Sequence, residues 1–251
     1  MRRVLTFIVI GIVAIICISI ATVYLSIGSV IVTAFEKYGS AIAGAPVTLE
    51  TADFSPTSGE TALKGLAVDT PPGFKATHVF LAPKIDLLID PQTLGTDVIA
   101  IKRLEITAPE ITFEIVEGTD SLRTLRTHID AAIADEKAGR FITGENGRTP
   151  KFIIHDLYIN KGVVIVEAEK LNGRRTTAVL DDIHLQDVGR DENGLAPAAL
   201  VRRIYSPLLQ AVSLAILETD LPLSDQILNL LRSASEETDE MLERLRKLLE
   251  K

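Results

Sequence analysis

Between Arg3 and Glu36 the chain runs for 32 consecutive residues without a charge. No other feature restricts the fold as strongly. Residues 4–24 are dense in Ile, Val, Leu and Phe, and about 20 apolar residues at 1.5 Å rise cross a hydrocarbon core ~30 Å thick. The stretch is long enough to span a bilayer and to run on beyond it. Arg2 and Arg3 precede it, so the positive-inside bias places the N-terminus in the cytoplasm. Cys17, the only cysteine, sits mid-span as a small apolar side chain. It excludes an internal disulfide framework and a zinc ribbon.

A cleaved signal peptide is the rival reading of this segment, and a buried core helix is a third. Ala41-Ile42-Ala43 and Ala43-Gly44-Ala45 have the small-x-small form of a cleavage site. They lie far past an apolar core that is over-long for a signal, with Glu36 and Lys37 between. The uncleaved anchor is the stronger expectation.

Every acid lies at or after Glu36. Removing Arg2 and Arg3 leaves 24 basic against 34 acidic residues in the body, a net of −10. No basic run or face is apparent, which argues against nucleic acid as a partner. The absence of Trp and the few aromatics argue against a carbohydrate platform.

After Gly39 the pattern changes to period two. Val47 and Leu49 alternate with Thr48 and Glu50; Ile85, Leu87 and Ile89 alternate with polar or neutral neighbours; Ile111, Phe113 and Ile115 alternate with Thr112 and Glu114. One apolar and one polar face is the pattern of a half-buried antiparallel strand. Strands are expected at 46–54, 60–69, 78–89, 98–106 and 110–116. Ile99 and Ile101 are out of phase with Leu104 and Ile106, so a bulge is expected near Lys102-Arg103.

Leu122, Leu125, Ile129 and Ile133 instead recur every three or four positions, which predicts a helix over 119–139 capped by Thr119, Asp120 or Ser121. A polar loop follows at 143–150. Further strands are expected at 151–159, 162–169 and 176–187, joined by hairpins at Asn160-Lys161-Gly162 and Asn172-Gly173, where Asn and Gly tolerate positive φ. From Leu195 the pattern is helical. Pro197 suits a first turn, and Leu200, Ile204, Leu208, Ala211 and Ala215 form a stripe. After Pro222 a last helix is expected. Ile227, Leu231, Ala234, Thr238, Met241, Leu245 and Leu248 then give a heptad seam.

The fold expected is therefore α+β: a transmembrane helix, then a curved, mainly antiparallel sheet with amphipathic helices and a C-terminal helix. By region, 1–38 is the anchor with a helical extension. Residues 39–190 are the sheet domain with the helical insertion 119–139, and 191–251 are the C-terminal helical segment.

Motifs of known chemistry are not found. The sequence holds no G-x-S-x-G, P-loop or H-E-x-x-H. His78, His128, His155 and His184 have no metal-ligand spacing. His155 and His184 read as surface or edge positions, and Asp181-Asp182 as a solvated turn. The expectation is a protein that is not an enzyme and has no catalytic residue, metal or cofactor.

The stretch "PVTLETADFSPTSGETALKGLAVDTPPGF", residues 46–74, resembles the N-terminal region of the AsmA family of bacterial envelope proteins. The family has a strand, a Ser/Gly turn, a second strand with a Leu-x-Gly-Leu-x-Val-like core and a Pro-Gly-Phe turn. Here these are Leu63, Gly65, Leu66 and Val68, then Pro72, Gly73 and Phe74. Residues 82–115, 151–169 and 180–189 are similar to the later strands of short members. The likeness rests on turn formers and core apolars, so it speaks to fold more than to activity.

This resemblance implies an inner-membrane-anchored, single-pass protein with its C-terminal domain in the periplasm. It also implies a sheet whose apolar face forms a groove, and a role in lipid handling or transport and in envelope homeostasis. About eight strands at ~4.8 Å spacing would give a sheet on the order of 40 Å wide, too short to bridge a periplasm alone. The helices at 119–139 and 197–217 are available as lids.

Candidate lipid contacts on the apolar face are Leu63, Leu66 and Val68, then Ile85 and Leu87. Ile101 and Ile106, Ile111 and Phe113, and Ile154 complete the set. Ile227, Leu231, Met241, Leu245 and Leu248 are candidate interface residues for a homo-oligomer or an envelope-protein partner. The alternative function is a structural or assembly subunit that binds another envelope protein without transferring lipid.

Overall fold

The computed structural model describes residues 27–116, 119–140, 149–168 and 175–218. The expected span at 4–24, residues 143–148 of the polar loop expected at 143–150, the turn at Asn172-Gly173 and the C-terminal seam lie outside the described residues. Helix α1 covers 27–43. The sheet begins with β1 (Val47–Phe54), β2 (Glu60–Asp69) and β3 (His78–Ile89), followed by β4 (Val98–Thr107), β5 (Glu110–Val116) and the short β6 (Thr119–Asp120). Helix α2 (Ser121–Lys137) leads to β7 (Lys151–Asn160), β8 (Val163–Ala168), β9 (Arg175–Val179) and β10 (Ile183–Val188), and α3 (Pro197–Leu217) closes the described chain.

The sheet is mixed. β1, β2 and β3 are antiparallel neighbours, as are β3 and β4, but β4 pairs with β7 and β5 with β8 in parallel. α2 supplies the crossover that a parallel neighbour requires. The registers reveal a simpler plan than ten strands. Thr107 faces Asn160, and three residues on in each strand Glu110 faces Val163. Against β3, Lys84 faces Thr107 and Leu81 faces Glu110. Ile183 faces Ile159, and Val179 faces Val163, four residues back in β9–β10 and four on in β7–β8.

Thus β4–β5, β7–β8 and β9–β10 are three long strands, each bent once at a common level. Hydrogen bonds carry the ladder through the bend, from Ala108 N to Asn160 O at 2.8 Å and from Val163 N to Pro109 O at 2.9 Å. The sheet is six strand positions wide, about 24 Å at ~4.8 Å spacing, rather than the 40 Å expected.

The bend corrects one expectation. Asn160-Lys161-Gly162 is not a hairpin. Lys161 has φ +57° and Ala108 in the neighbouring strand φ +51°, so both chains kink together and continue in the same direction. The strand expected at 176–187 is likewise divided between β9 and β10. β8 pairs with β9 antiparallel. The bulge expected near Lys102-Arg103 is present: the register slips so that Leu88 faces Arg103 while Ile89 faces Ile101.

Cross-strand partners share a face, and the registers place apolar side chains in rungs across the sheet. Leu63, Ile85, Ile106, Ile159 and Ile183 form one. Val68, Phe80, Ile111, Val164 and Ala178 form another. The opposite face is polar and carries Lys84, Asp86, Arg103, Tyr158 and His184. There His184 Nε2 bonds Asp156 at 2.9 Å and stacks on Tyr158, and His155 Nδ1 meets Asp187 at 3.2 Å.

Three helices cover the apolar face. α1 lies over β1–β3, with Ile31 and Val32 packed on Leu49, Leu63 and Ile85. Its last turn ends at Gly44, whose φ of +63° suits the left-handed cap that terminates a helix. α2 starts on Asp120, which accepts from Arg123 N at 2.7 Å, one of the three caps expected. Its Leu122, Leu125, Ile129 and Ala132 are buried. Ala132 takes the place expected of Ile133, which is half-buried.

In α3 the buried side includes Ala198, Tyr205, Leu209, Val212, Ala215 and Ile216; of the expected stripe Ala215 is buried, while Leu200, Ile204, Leu208 and Ala211 are half-buried. Pro197 opens the helix, and no side chain of its own caps it. Glu136 of α2 instead accepts from Ala198 N at 3.2 Å.

Among the described residues α3 is the one helix long and apolar enough to cross a membrane, with mean hydropathy 1.3. A core helix satisfies the same length and composition. It packs on α2, with Tyr205 Oη donating to Leu122 O at 2.5 Å and Arg202 paired to Asp130 at 2.8 Å.

Candidate functional site

An apolar cleft of about 260 Å³ lies where the three helices meet the sheet. Its floor is the middle of the apolar face: Leu66, Val68, Phe80, Ile106, Ile111 and Ile159. One wall is α1, through Phe35, Gly39, Ile42 and Ala43. The opposite wall is α3, through Val201, Ile204, Leu208 and Val212, and α2 closes the base with Leu122, Leu125 and Ile129.

Phe35 and Val201 are also on the surface, 38% and 37% exposed. They mark the mouth, between α1 and α3. At Gly39 an added Cβ would meet Val47 Cγ1 at 3.0 Å, so the bare glycine lets α1 approach β1 closely here.

The wall offers almost no polarity. Tyr205 carries the one side-chain hydroxyl in the lining, and it is spent on Leu122 O. Such a cleft binds by removing apolar surface from water. It has no group with which to orient a headgroup or activate a water. An enclosed apolar cavity of roughly 150 Å³ is enough to hold benzene, so this one suits a longer apolar fragment.

The ten residues expected to contact lipid are all buried or half-buried. They do not share one environment. Leu66, Val68, Ile106 and Ile111 line the cleft. Ile101, Phe113 and Ile154 are buried in the main core with α2 and α3. Leu63 and Ile85 are buried in a second cluster beneath α1, with Leu87 packed against it. The five interface candidates at 227–248 lie outside the described residues.

Both helices expected as lids do cover the sheet, and α1 adds a third cover that sequence reasoning missed. The signal was available in Gly28 and Gly39, two bare positions on α1. A Cβ at Gly28 would come within 2.4 Å of Ala52 O. Helix positions that tolerate no side chain mark a close approach.

The charged groups lie elsewhere. Glu114 belongs to a strand where alternation would send it to solvent, yet it is buried. Its carboxylate accepts from Lys75 N at 2.9 Å and Ala76 N at 2.8 Å, so it pins the turn before β3. Asp120 is held above the ordinary aspartate range by burial, and Glu136 is raised for the same reason. Asp156 and Asp187 on the polar face are lowered, chiefly by their hydrogen bonds to His184 and His155. Asp181 and Asp182 are exposed, and Asp182 accepts from Lys161 N at 2.9 Å. Among the described residues no cluster of three or more His, Cys, Asp or Glu side chains could hold a metal ion.

Compared with family models and with curated proteins, the chain matches none.

Proposed function

We propose that this chain is an inner-membrane-anchored periplasmic protein of AsmA type that handles lipid beside the membrane, taking an acyl chain into the cleft between α1 and α3. The observation that carries the reading is the cleft itself: a wholly apolar lining, open to the surface at Phe35 and Val201. Its placement supports the choice of ligand. α1 is described from residue 27, and its first nine residues, 27–35, are the end of the uncharged stretch. Eight residues of helix at 1.5 Å rise put Phe35 about 12 Å from that point, so an anchored chain would hold the mouth close to the lipid surface.

In this reading no residue makes or breaks a covalent bond. The protein lowers the cost of moving an acyl chain out of the bilayer by offering a dry surface. A sheet of this width acts locally and hands its lipid to another component.

Native mass spectrometry of the full chain tests this. A lipid adduct should survive detergent exchange in the wild type and be lost in Leu208→Trp, which fills the cleft. Equal adducts in both would identify lipid bound around the anchor and sink the proposal. An empty protein that co-purifies with another envelope protein would favour the assembly-subunit reading. Alkaline-phosphatase fusions after Gly39 and after Lys251 should both be active, and inactive fusions would reverse the topology.

A further inference from the structure

The size of the cleft limits what can enter it. Its volume is about 260 Å³. A cavity of roughly 150 Å³ holds benzene, about 25 Å³ for each carbon. At that density the cleft holds about ten carbons. Two sixteen-carbon tails would need roughly 800 Å³. The lining leaves no second way through. Phe35 and Val201 are its exposed residues, whereas Val79, Ile111, Ile129, Ile159 and Val212 are at most 1% exposed. Among the described residues the cleft therefore has one mouth and a sealed interior, which suits a single chain entering end first.

The mouth holds nothing ready for a head group. None of the lining residues is charged. The charged residues that follow Phe35 and Val201 in the chain are engaged elsewhere. Glu36 accepts from Leu49 N at 3.4 Å, and Lys37 lies 5.6 Å from the Tyr38 ring centroid. Arg202 is paired with Asp130 at 2.8 Å, and Arg203 is paired with Glu192. Tyr205 donates its hydroxyl to Leu122 O. A head group at the mouth stays in water and contributes no selectivity. A diacyl lipid entering by one tail would leave the other tail in water as well, and so lose the burial that both tails have in a bilayer.

We infer that the cleft takes one unbranched chain of about ten carbons, whatever its head. Its ligands are then single-chain amphiphiles of medium length and not diacyl lipids. This rests on the acyl-chain reading above and narrows it to a class. Within the class, affinity rises about fourfold for each methylene that enters. It stops rising when the cleft is full, because further methylenes are in water in both the free and the bound state.

The test uses the full chain in nanodiscs of dioleoyl phosphatidylcholine. A benzoylphenylalanine at Phe35 is the photo-crosslinker, and Leu208→Trp is the filled-cleft control. Saturated fatty acids of six to fourteen carbons are supplied at free concentrations set by dialysis, and adducts are identified by mass. The half-saturating free concentration should fall about fourfold per methylene up to about ten carbons and then level off. Decanoate, decanol and decylphosphocholine should saturate alike. Leu208→Ala removes about three carbons from the lining and should move the break about two or three carbons later, which keeps the test independent of how the tryptophan variant folds. Four results would each overturn the inference and leave the acyl-chain reading standing. These are a half-saturation that keeps falling through fourteen carbons, a break that ignores Leu208→Ala, a preference of about tenfold or more for one head, and a dioleoyl phosphatidylcholine adduct that Leu208→Trp abolishes. Fatty-acid adducts that neither Leu208 variant alters would overturn both.

Discussion

The two walls of the cleft are built to different standards. The α2–α3 wall is interlocked with the sheet. Ile129, Val212 and Ile216 are at most 1% exposed, and Tyr205, Glu136 and Arg202 each tie one helix to the other through a hydrogen bond or ion pair. Along α1 only Ile42 and Ala43 are buried, both in the last turn. Before that turn Ile31 and Val32 pack on the sheet only half-buried, and Glu36 accepts from Leu49 N at a long 3.4 Å. Ser40 and His128 hold the C-terminal end, at 2.8 Å to Val47 N and 2.9 Å to Ala43 O. A cleft with one interlocked wall and one wall buried only at its last turn can widen at the less buried end, which is the end nearest the expected anchor.

The largest expected effect lies in the fixed wall. Ile129→Ala or Ile216→Ala should cost about 2–5 kcal/mol, the range for emptying a tightly packed site. Ile31→Ala in α1 should cost about 1 kcal/mol, because that side chain is only half-buried. Urea unfolding followed by circular dichroism measures both. Equal losses would erase the distinction between the walls.

Glu114→Ala comes next. It leaves the N–H groups of Lys75 and Ala76 without their acceptor, at a cost of about 1–3 kcal/mol. Unchanged unfolding would show that the turn before β3 holds without this carboxylate.

How much of this could be read in the sequence depends on the range of the interaction. Alternation such as Ile111, Phe113 and Ile115 marks a strand because one face alone is buried, and the Lys102 bulge shows as a slip in that phase. Both are local. The kink at Lys161 was misread because positive φ serves a hairpin and a bend equally. The partner that decides, Ala108 in the adjacent strand, is more than 50 residues away. The face of the candidate site was legible for the same local reason. Which of its ten residues line a cleft, and which are sealed beneath a helix, follows from where α1 and α3 lie. α3 is apolar around more than half its circumference, so periodicity could not choose between its two sides.

A smaller effect is expected from Gly28→Ala. Its Cβ would sit 2.4 Å from a backbone oxygen of β1, and overpacking of this kind costs about 1 kcal/mol or more. Because α1 is lightly held, the helix should yield, with faster amide exchange at Leu49 and little change at Val164. Equal protection at both positions would mean that α1 is as firmly seated as the opposite wall.

The smallest effect concerns the far edge of the sheet. Asp156 and Asp187 have depressed values in the folded protein, so their contribution is present above the ordinary aspartate value of 3.8 and is lost as pH falls through the lowered ones. Acidification through that window should speed amide exchange in β10 before it affects α2. Solvent screening keeps the change small. Exchange in β10 that does not respond to acid would remove the two bridges from the account.

The central claim is that an acyl chain occupies the cleft between an interlocked wall and a lightly held one. Photo-crosslinking in native membranes addresses it directly, with a benzoylphenylalanine placed at Phe35, at Leu66 or at Asp86 on the polar face. The account predicts lipid adducts at Phe35 and Leu66 and none at Asp86. Adducts of equal yield at all three, or none at the two cleft positions, would contradict it.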